Sequence, residues 1–505
     1  MSGRDGTAWQ RTSLTPGVEE DLKLRESVGI SGSLPIIEGY ALAGYDEALL
    51  PDGRPRPAHA TVLESLCAMG PAELRDREAL LEREKVAASV VFRCTGDEAA
   101  SAFPVDLVPR VLTSEEWHRL RDGAAQRARA LDAFLNDIYG EAAILRDGIL
   151  PRGLVSGSPG HRAEGAAPPP NMRRAQVCGI DIVRDGEERW FALEDNVRWP
   201  SGVAYAIQNR RLLRRVFPEL TASVDLLDPE QAPALLRQAL HESAPLKAAA
   251  DPASIVLLSD GPADSAYFEH HLLAEEMGVP LVVPADLLVA DDVVWHVSAS
   301  GQRRVDVIYL RIDDQLLQRV AGNGLPLAPQ LIQAVRAGTL TLANALGSGV
   351  ADDKAIYAYM PKFIEYYLGE QPRIEQVPTY HCADPEQRTQ VLALLDKLVV
   401  KPVDGYGGLG VVIGPRASEE ELARARLLIV EQPDRWIAQE MISLSTHPTY
   451  EDGKLRPRHI DLRMFVYYGA SPVVVPAALT RVAPSGSLVV NSSRGGGAKD
   501  TWLLR

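Results

Sequence analysis

Residues 399–414 read VVKPVDGYGGLGVVIG. An apolar, β-branched run ends on Lys401, glycine-rich sequence follows, and a second β-branched run closes the stretch. That order demands strand, tight turn, strand, and so restricts the chain to folds that contain sheet. Gly405, Gly407, Gly408 and Gly410 permit close backbone approach, which lets amides point at phosphate oxygens beside the lysine. A Walker loop carries its lysine after the glycines, and a dinucleotide fingerprint opens a helix; here the lysine precedes and a strand follows. Taken by itself the stretch equally describes an ordinary glycine-rich hairpin. Phosphate chemistry also calls for acidic metal ligands, and the residues downstream hold no convincing carboxylate pair.

At 505 residues the chain exceeds what one core serves, so roughly two to four domains are expected. Hydrophobic residues make up 46% and charged residues 24%, as in ordinary globular proteins, and no apolar run is long enough for a bilayer, so no membrane partner is expected. The first residues, MSGRDGTAWQRTSLTPG, lack the apolar core of a signal peptide; they read as a mobile arm and point to the cytoplasm. The four cysteines, Cys67, Cys94, Cys178 and Cys382, lie far apart without CxxC spacing, against a zinc site or disulfide scaffold. A net charge of −15 argues against nucleic acid as partner.

Helical periodicity runs over residues 115–140, with Thr113 or Ser114 as cap and Glu116 in the first turn. A Pro- and Gly-rich surface loop follows over 150–170. Residues 177–196, VCGIDIVRDGEERWFALEDN, predict a β-hairpin turning at Asp185-Gly186. From about residue 253 the texture becomes α/β: strands over 254–260, 279–284 and 305–314, and a helix over 267–277. A further helix is expected over 418–428.

On the hairpin, Asp181 and Glu194 are expected to face one another, with Asn196 on the same face as Glu194. Three hard oxygen donors suit magnesium shared with waters and substrate phosphates. A solvent-exposed acidic hairpin is the plainer alternative, against which stand the apolar run before Glu194 and the turn VRWPSG after Asn196. Alternation favours Glu194 over the adjacent Asp195, since Glu194 shares a face with Asn196, and leaves open whether Asp195 takes part. Gln439, Glu440, Met441 and Ile442 end a strand in the manner of an adenine slot, though an unremarkable strand end reads the same. Lys354, Arg463, Arg481, Arg494 and Lys499 are cations on strands or glycine loops, as an anion site would use.

Together these segments resemble the ATP-grasp superfamily: KPxxGxGGxGV at Lys401–Val411, a Q-E-hydrophobic hinge at Gln439–Ile442, a D-K step at Asp353-Lys354, and the trio Asp181, Glu194 and Asn196. The trio's spacing is similar to that of peptide-forming members such as the D-alanine-D-alanine ligases. The usual order is lysine, loop, hinge, then metal ligands; here the metal hairpin precedes the loop by some two hundred residues. That inversion resembles the circularly permuted ATP-grasp proteins, as do GYDEALLPDGRPRP, FPVDLVPRVLTSEEW, CGIDIVRDG, EDNVRWPSG, YLRIDD and NSSRGGG, so the resemblance runs from about residue 39 to the C-terminus.

The resemblance implies a mixed α/β (α+β) chain with a permuted ATP-grasp fold, a Rossmann-like α/β subdomain and a small lid. The expected division is 1–38 arm, 39–170 family-specific region, 171–225 metal hairpin, 226–350 Rossmann-like subdomain, 351–445 lid with glycine loop and hinge, and 446–505 the rest of the core. It implies a carboxylate-amine ligase using ATP and magnesium, two ions being expected, and working through an acylphosphate. Asp181, Glu194 and Asn196 would hold metal, and Lys354, Lys401 and the glycines 405, 407, 408 and 410 the phosphates. The hinge residues would seat adenine, while Arg463 and Arg481, with Lys401, would serve the transferred group. Arg110, Tyr205, Arg311, Asp313, Asn491 and Arg494 are expected at a pocket for small carboxylate and amine substrates, amino acids or short peptides. The rival readings are a glutathionylspermidine-type ligase, a small-molecule kinase, and a non-catalytic ATP-binding partner.

Overall fold

The computed structural model describes residues 37–505, apart from 38, 43, 93–100, 250–251, 313–317, 404, 406–409 and 491–495. Six strands carry the site: β1 (Val177–Arg184), β2 (Trp190–Asn196), β3 (Leu398–Pro402), β4 (Trp436–Glu440), β5 (Lys454–Tyr468) and β6 (Pro472–Val482). Three helices support them: α1 (Ser114–Ile138), α2 (Val203–Val216) and α3 (Tyr267–Met277).

The central sheet has seven strands, in the order Glu375–Gln376, β2, β1, β5, β6, Gly497–Lys499, with Thr446–Glu451 paired to the start of β5. Period-two alternation divides its residues. Ile180, Ile182, Leu462 and Met464 join a core with Leu120, Leu131 and Phe134 of α1. Phe465, Tyr467 and Leu479 join a second core with Val203, Ile207 and Leu212 of α2. Both faces of the sheet are therefore covered, which is why β1 reads as a nearly unbroken apolar run from Val177 to Val183, interrupted by one charged residue, Asp181. Thr113 caps α1: its hydroxyl accepts from the Glu116 amide (3.2 Å) while the Glu116 carboxylate accepts from the Thr113 amide (2.9 Å).

A second sheet of four parallel strands, Thr341–Ala343, Val307–Arg311, Ile255–Ser259 and Leu281–Val282, packs with α3 and helix Leu327–Ala337. It is the Rossmann-like element, though its strands are shorter than the apolar runs that announce them. An antiparallel three-strand meander, Leu287–Ala290, Val293–Ser298 and Gly301–Val305, accompanies it, an element not among those expected from the sequence. The third sheet, Thr379–His381, β4, β3, Val412–Ile413, is the small glycine-loop unit, covered by helices Pro385–Ala393 and Glu419–Glu431 around Val391, Leu395, Val400 and Ile429. No helix among the described residues is long and apolar enough to cross a membrane.

Candidate active site

The hairpin β1–β2 sets the site's geometry. Its register pairs Asp181 with Glu194 and Gly179 with Asn196, after an irregularity between Asp181 and Ile182. The turn is longer than the two-residue form that Asp185-Gly186 suggests. Asp185 and Arg189 close a three-residue loop, in which the Asp185 carboxylate accepts from the amides of Glu187 (2.8 Å) and Arg189 (2.9 Å). Glu188 takes the left-handed conformation (φ 66°) that glycine often supplies in such loops. Asp195 faces the opposite side from Glu194: it is buried and accepts from Arg127 of α1 through both oxygens (2.8 and 2.6 Å).

β5 lies beside β1, with Arg463 in register with Asp181, and β6 lies beside β5, with Arg481 in register with Asp461. Arg463 donates to both Asp181 oxygens (2.6 and 2.7 Å), and Arg481 adds a third bond to Asp181 (2.7 Å) while also holding Asp461 (2.6 to 3.1 Å). Burial works to raise the Asp181 carboxyl, but the two guanidiniums outweigh it and hold the group well below the usual carboxylate range. Asp461 goes the other way: burial dominates and raises it in spite of Arg481. Asp461 lines the cleft and was not picked out from the sequence, although HIDLRMF places it two residues before Arg463, on the same strand face.

The lysines arrive from the other wall. Lys354 Nζ lies 3.5 Å from Glu194 Oε2 and donates to the Gly405 carbonyl at 2.6 Å, tying the start of the glycine loop to the hairpin. Lys401, on β3, donates to Gln439 Oε1 on β4 at 2.5 Å. Burial lowers its ammonium to about 8, with Glu194 opposing that fall and Lys354 adding to it. Glu194, Lys354, Lys401, Asp461 and Arg481 line one cleft, which Gln439, Glu440, Met441 and Ile442 continue. Apolar walls, including Val183, Val399, Ile413 and Leu444, complete it, so charged and apolar groups share one cleft. Leu488, Val489 and Val490 enter from the C-terminal segment, with no sequence signal beyond their apolar character.

Three expected substrate residues lie elsewhere. Arg110 is fully buried, held through two 2.8 Å bonds by Glu47, and donates to the Asp461 carbonyl at 3.0 Å, so it supports the cleft from behind. Tyr205 packs between Phe103 and Phe268 with its hydroxyl on the Val91 carbonyl (3.0 Å). Arg311 is buried against Glu269 (3.0 Å), Ser201 Oγ (2.5 Å) and the Pro200 carbonyl (2.7 Å). Each presents no surface to a ligand, because its charge or hydroxyl is consumed inside the protein. Arg311 does fix the turn that the sequence places after Asn196. Gly202 there has φ 125° and gives its amide to Glu269 (2.7 Å), while Arg463 holds the Ser201 carbonyl (3.1 Å). Gly407, Gly408, Asp313, Asn491 and Arg494 lie outside the described residues. Gly405 and Gly410 are described, the latter at φ 74° against the Pro402 ring.

The donor chemistry fits a magnesium ion. Glu194 projects partly exposed into the cleft, and the Asn196 amide nitrogen is turned to the Gly179 carbonyl (3.5 Å), so that any cation would meet its oxygen. Asp181 already receives three donated bonds, so it would share a cation with its arginines. Among the described residues no group of three or more His, Cys, Asp or Glu is clustered for a metal. A cation here would thus depend on few protein ligands and on phosphate oxygens, which is how magnesium is ordinarily held.

The chain is similar to known proteins over most of its length. The chain is 52% identical over 471 residues to a Frankia alni protein named "Putative glutamate--cysteine ligase 2-3", covering 93% of this chain and 55% of that one. It is 43% identical over 503 residues to the uncharacterized protein Mb2434c of Mycobacterium bovis, covering 98% and 90%. The chain spans about half the length of the Frankia relatives it matches. A glutathione synthetase-like effector from Globodera pallida, solved in its apo form, shares the fold: TM-score 0.56 and 13% identity, over 86% of this chain and 98% of that one. The family described as circularly permuted ATP-grasp type 2 matches residues 109–483, which take in the hairpin, the lid, the hinge and both site arginines in this permuted order. The chain belongs to the circularly permuted ATP-grasp type 2 family.

Proposed function

We propose that the chain is an ATP-dependent carboxylate-amine ligase. The observation that carries the reading is the meeting of Glu194 with Lys354, at 3.5 Å, in a cleft that Lys401 and the hinge Gln439–Ile442 also line. Adenine would lie against Met441 and Ile442. Lys354 and Lys401 would bind the polyphosphate, and the glycine loop, tethered through Gly405, would close over it. Glu194 and Asn196, with Asp181, would hold magnesium, which supplies neutralisation of charge on the phosphate oxygens.

A substrate carboxylate oxygen attacks the γ-phosphorus, ADP leaves, and an acylphosphate results. The amine then attacks the acyl carbon, loses a proton and expels phosphate. Arg481 and Arg463 stand where the transferred group would pass, held in place by Asp461, Asp181 and the Ser201 carbonyl. Their fixed forks suit a trigonal phosphoryl group better than a flexible cation would. The closed loop would keep water from the acylphosphate.

The test is release of ADP and phosphate from ATP with magnesium, across pairs of amino acids and short peptides. Glutamate and cysteine go first, because the Frankia relatives are named for them. Ligation predicts an amide product by mass spectrometry and strong loss in Glu194→Gln. Equal phosphate release by wild type and Glu194→Gln under every pairing would sink the proposal. ADP formed with phosphate retained on the acceptor would make the chain a kinase.

A further inference from the structure

The parallel sheet has two ends. Ser259 and Arg311 sit at the carboxyl ends of their strands, where Arg311 meets the turn beside the hairpin. A second pocket opens at the amino ends, against Ser254, Ile255, Pro280 and Val305. A five-residue strand such as Ile255–Ser259 separates the two ends by about 13 Å. The pocket is thus distinct from the nucleotide cleft and shares no lining residue with it.

Its charged and titratable side chains are Arg237, His241, His296, Arg303 and Arg304, and no Asp or Glu among the described residues lines it. The whole chain carries 68 acidic residues against 53 Lys and Arg, so a wall of three guanidiniums and two imidazoles reverses the local sign. The groups converge from two elements. Arg303 lies opposite His296 in the meander register, and Arg237 and His241 come from helix Ala232–Glu242, one turn apart. Two of the arginines are already oriented. Arg237 donates Nε to His241 Nε2 (3.3 Å) and Nη1 to the Met277 carbonyl (3.1 Å). Arg304 places Nε 3.1 Å from Asp306 and donates Nη2 to the Lys247 carbonyl. Each keeps further N–H groups of its five. Asp306, the acid behind this wall, is fully buried and already accepts from the amides of Ala249 (3.1 Å) and Ser254 (3.0 Å). Arg303 is exposed at the rim and forms no ion pair among the described residues.

We propose that this pocket binds a phosphate group, either free phosphate or the phosphoryl end of a small metabolite, at a site separate from the nucleotide cleft. Arginines from a helix and a hairpin line this one pocket, with Arg304 alone, among the described residues, paired to an acid, the buried Asp306, and guanidinium N–H groups match the oxygens of a phosphate dianion.

The test titrates the full chain with inorganic phosphate and, separately, with glycerol phosphate, by calorimetry at constant ionic strength. Arg303→Glu, Arg237→Gln and Lys401→Ala run alongside, each first checked by circular dichroism. The expected result is saturable binding that weakens about tenfold or more in both pocket variants and persists in Lys401→Ala. The tighter of the two ligands then identifies the source. Loss of binding only in Lys401→Ala would assign the phosphate to the nucleotide cleft and overturn the proposal, as would equal binding in all variants or heat no different from that of potassium chloride. Because Arg303 and Arg237 lie outside the cleft, failure here leaves the ligase reading standing, and failure of ligase turnover leaves phosphate binding measurable.

Discussion

Glu194 and Asp195 are adjacent carboxylates with opposite surroundings. Asp195 faces the core, closed on both oxygens by Arg127 with neither partner reaching water. Glu194 faces the cleft, with Lys354 at 3.5 Å, Arg463 at 4.0 Å and close to a third of its side chain exposed. One strand thus carries, side by side, an acid closed inside the fold and an acid open to the cleft. What separates them is pairing: a bidentate buried pair spends its charge on the fold, and a loosely attended carboxylate keeps its charge for a ligand.

The largest expected effect breaks the structural side. Asp195→Ala leaves the Arg127 guanidinium buried without its partner, and urea denaturation should show a loss of about 3–5 kcal/mol. Glu194→Gln should do the reverse, lowering ATP turnover on the order of 100-fold while the denaturation midpoint scarcely moves. If Glu194→Gln proved as destabilising as Asp195→Ala, the distinction between the two carboxylates would fail.

Lys401 sharpens the comparison through pH. Its ammonium titrates near 8 in the folded chain, below its ordinary 10.5, because burial disfavours the charge. The unfolded chain therefore holds this proton over a window where the folded chain has released it, and the Lys401 contribution to stability rises with pH from about 8 to about 10.5. Nucleotide affinity runs the opposite way, since the phosphates need the cation: it should weaken above pH 8, by at most about tenfold per pH unit. Lys401→Arg should flatten that profile in a fluorescent-nucleotide titration. The smallest effect belongs to the support of Arg127. Thr113→Ala removes the cap of α1 and should cost about 1 kcal/mol in thermal or urea melts, with turnover per folded molecule unchanged.

The same contrast explains which parts were legible. Residues paired within one local pattern could be read directly: the hairpin register of Asp181 with Glu194, the capped helix α1, the glycine loop between two strands. Arg110, Tyr205 and Arg311 could not. Each carries a ligand-like side chain near a strand or turn, and its burial depends on remote partners, Glu47, Val91 and Glu269, that no local period reveals. Asp461 was hidden differently: alternation puts it on the face of Arg463, but only the packing of β6 shows that this face is the cleft wall. The turn at Asp185 departed from its two-residue expectation because Glu188, rather than a glycine, takes the left-handed position.

The bonds between Asp181 and Arg463 span 282 positions of chain. At synthesis rates of roughly 5–20 residues per second, the hairpin emerges from the ribosome about 14–56 s before the strand that covers its edge. During that wait β1 presents an apolar edge and an uncompensated buried-type acid to whatever is nearby. The permuted order therefore sets a kinetic hazard for the nascent chain, one that chaperones or slow-growth temperatures should relieve during recombinant expression.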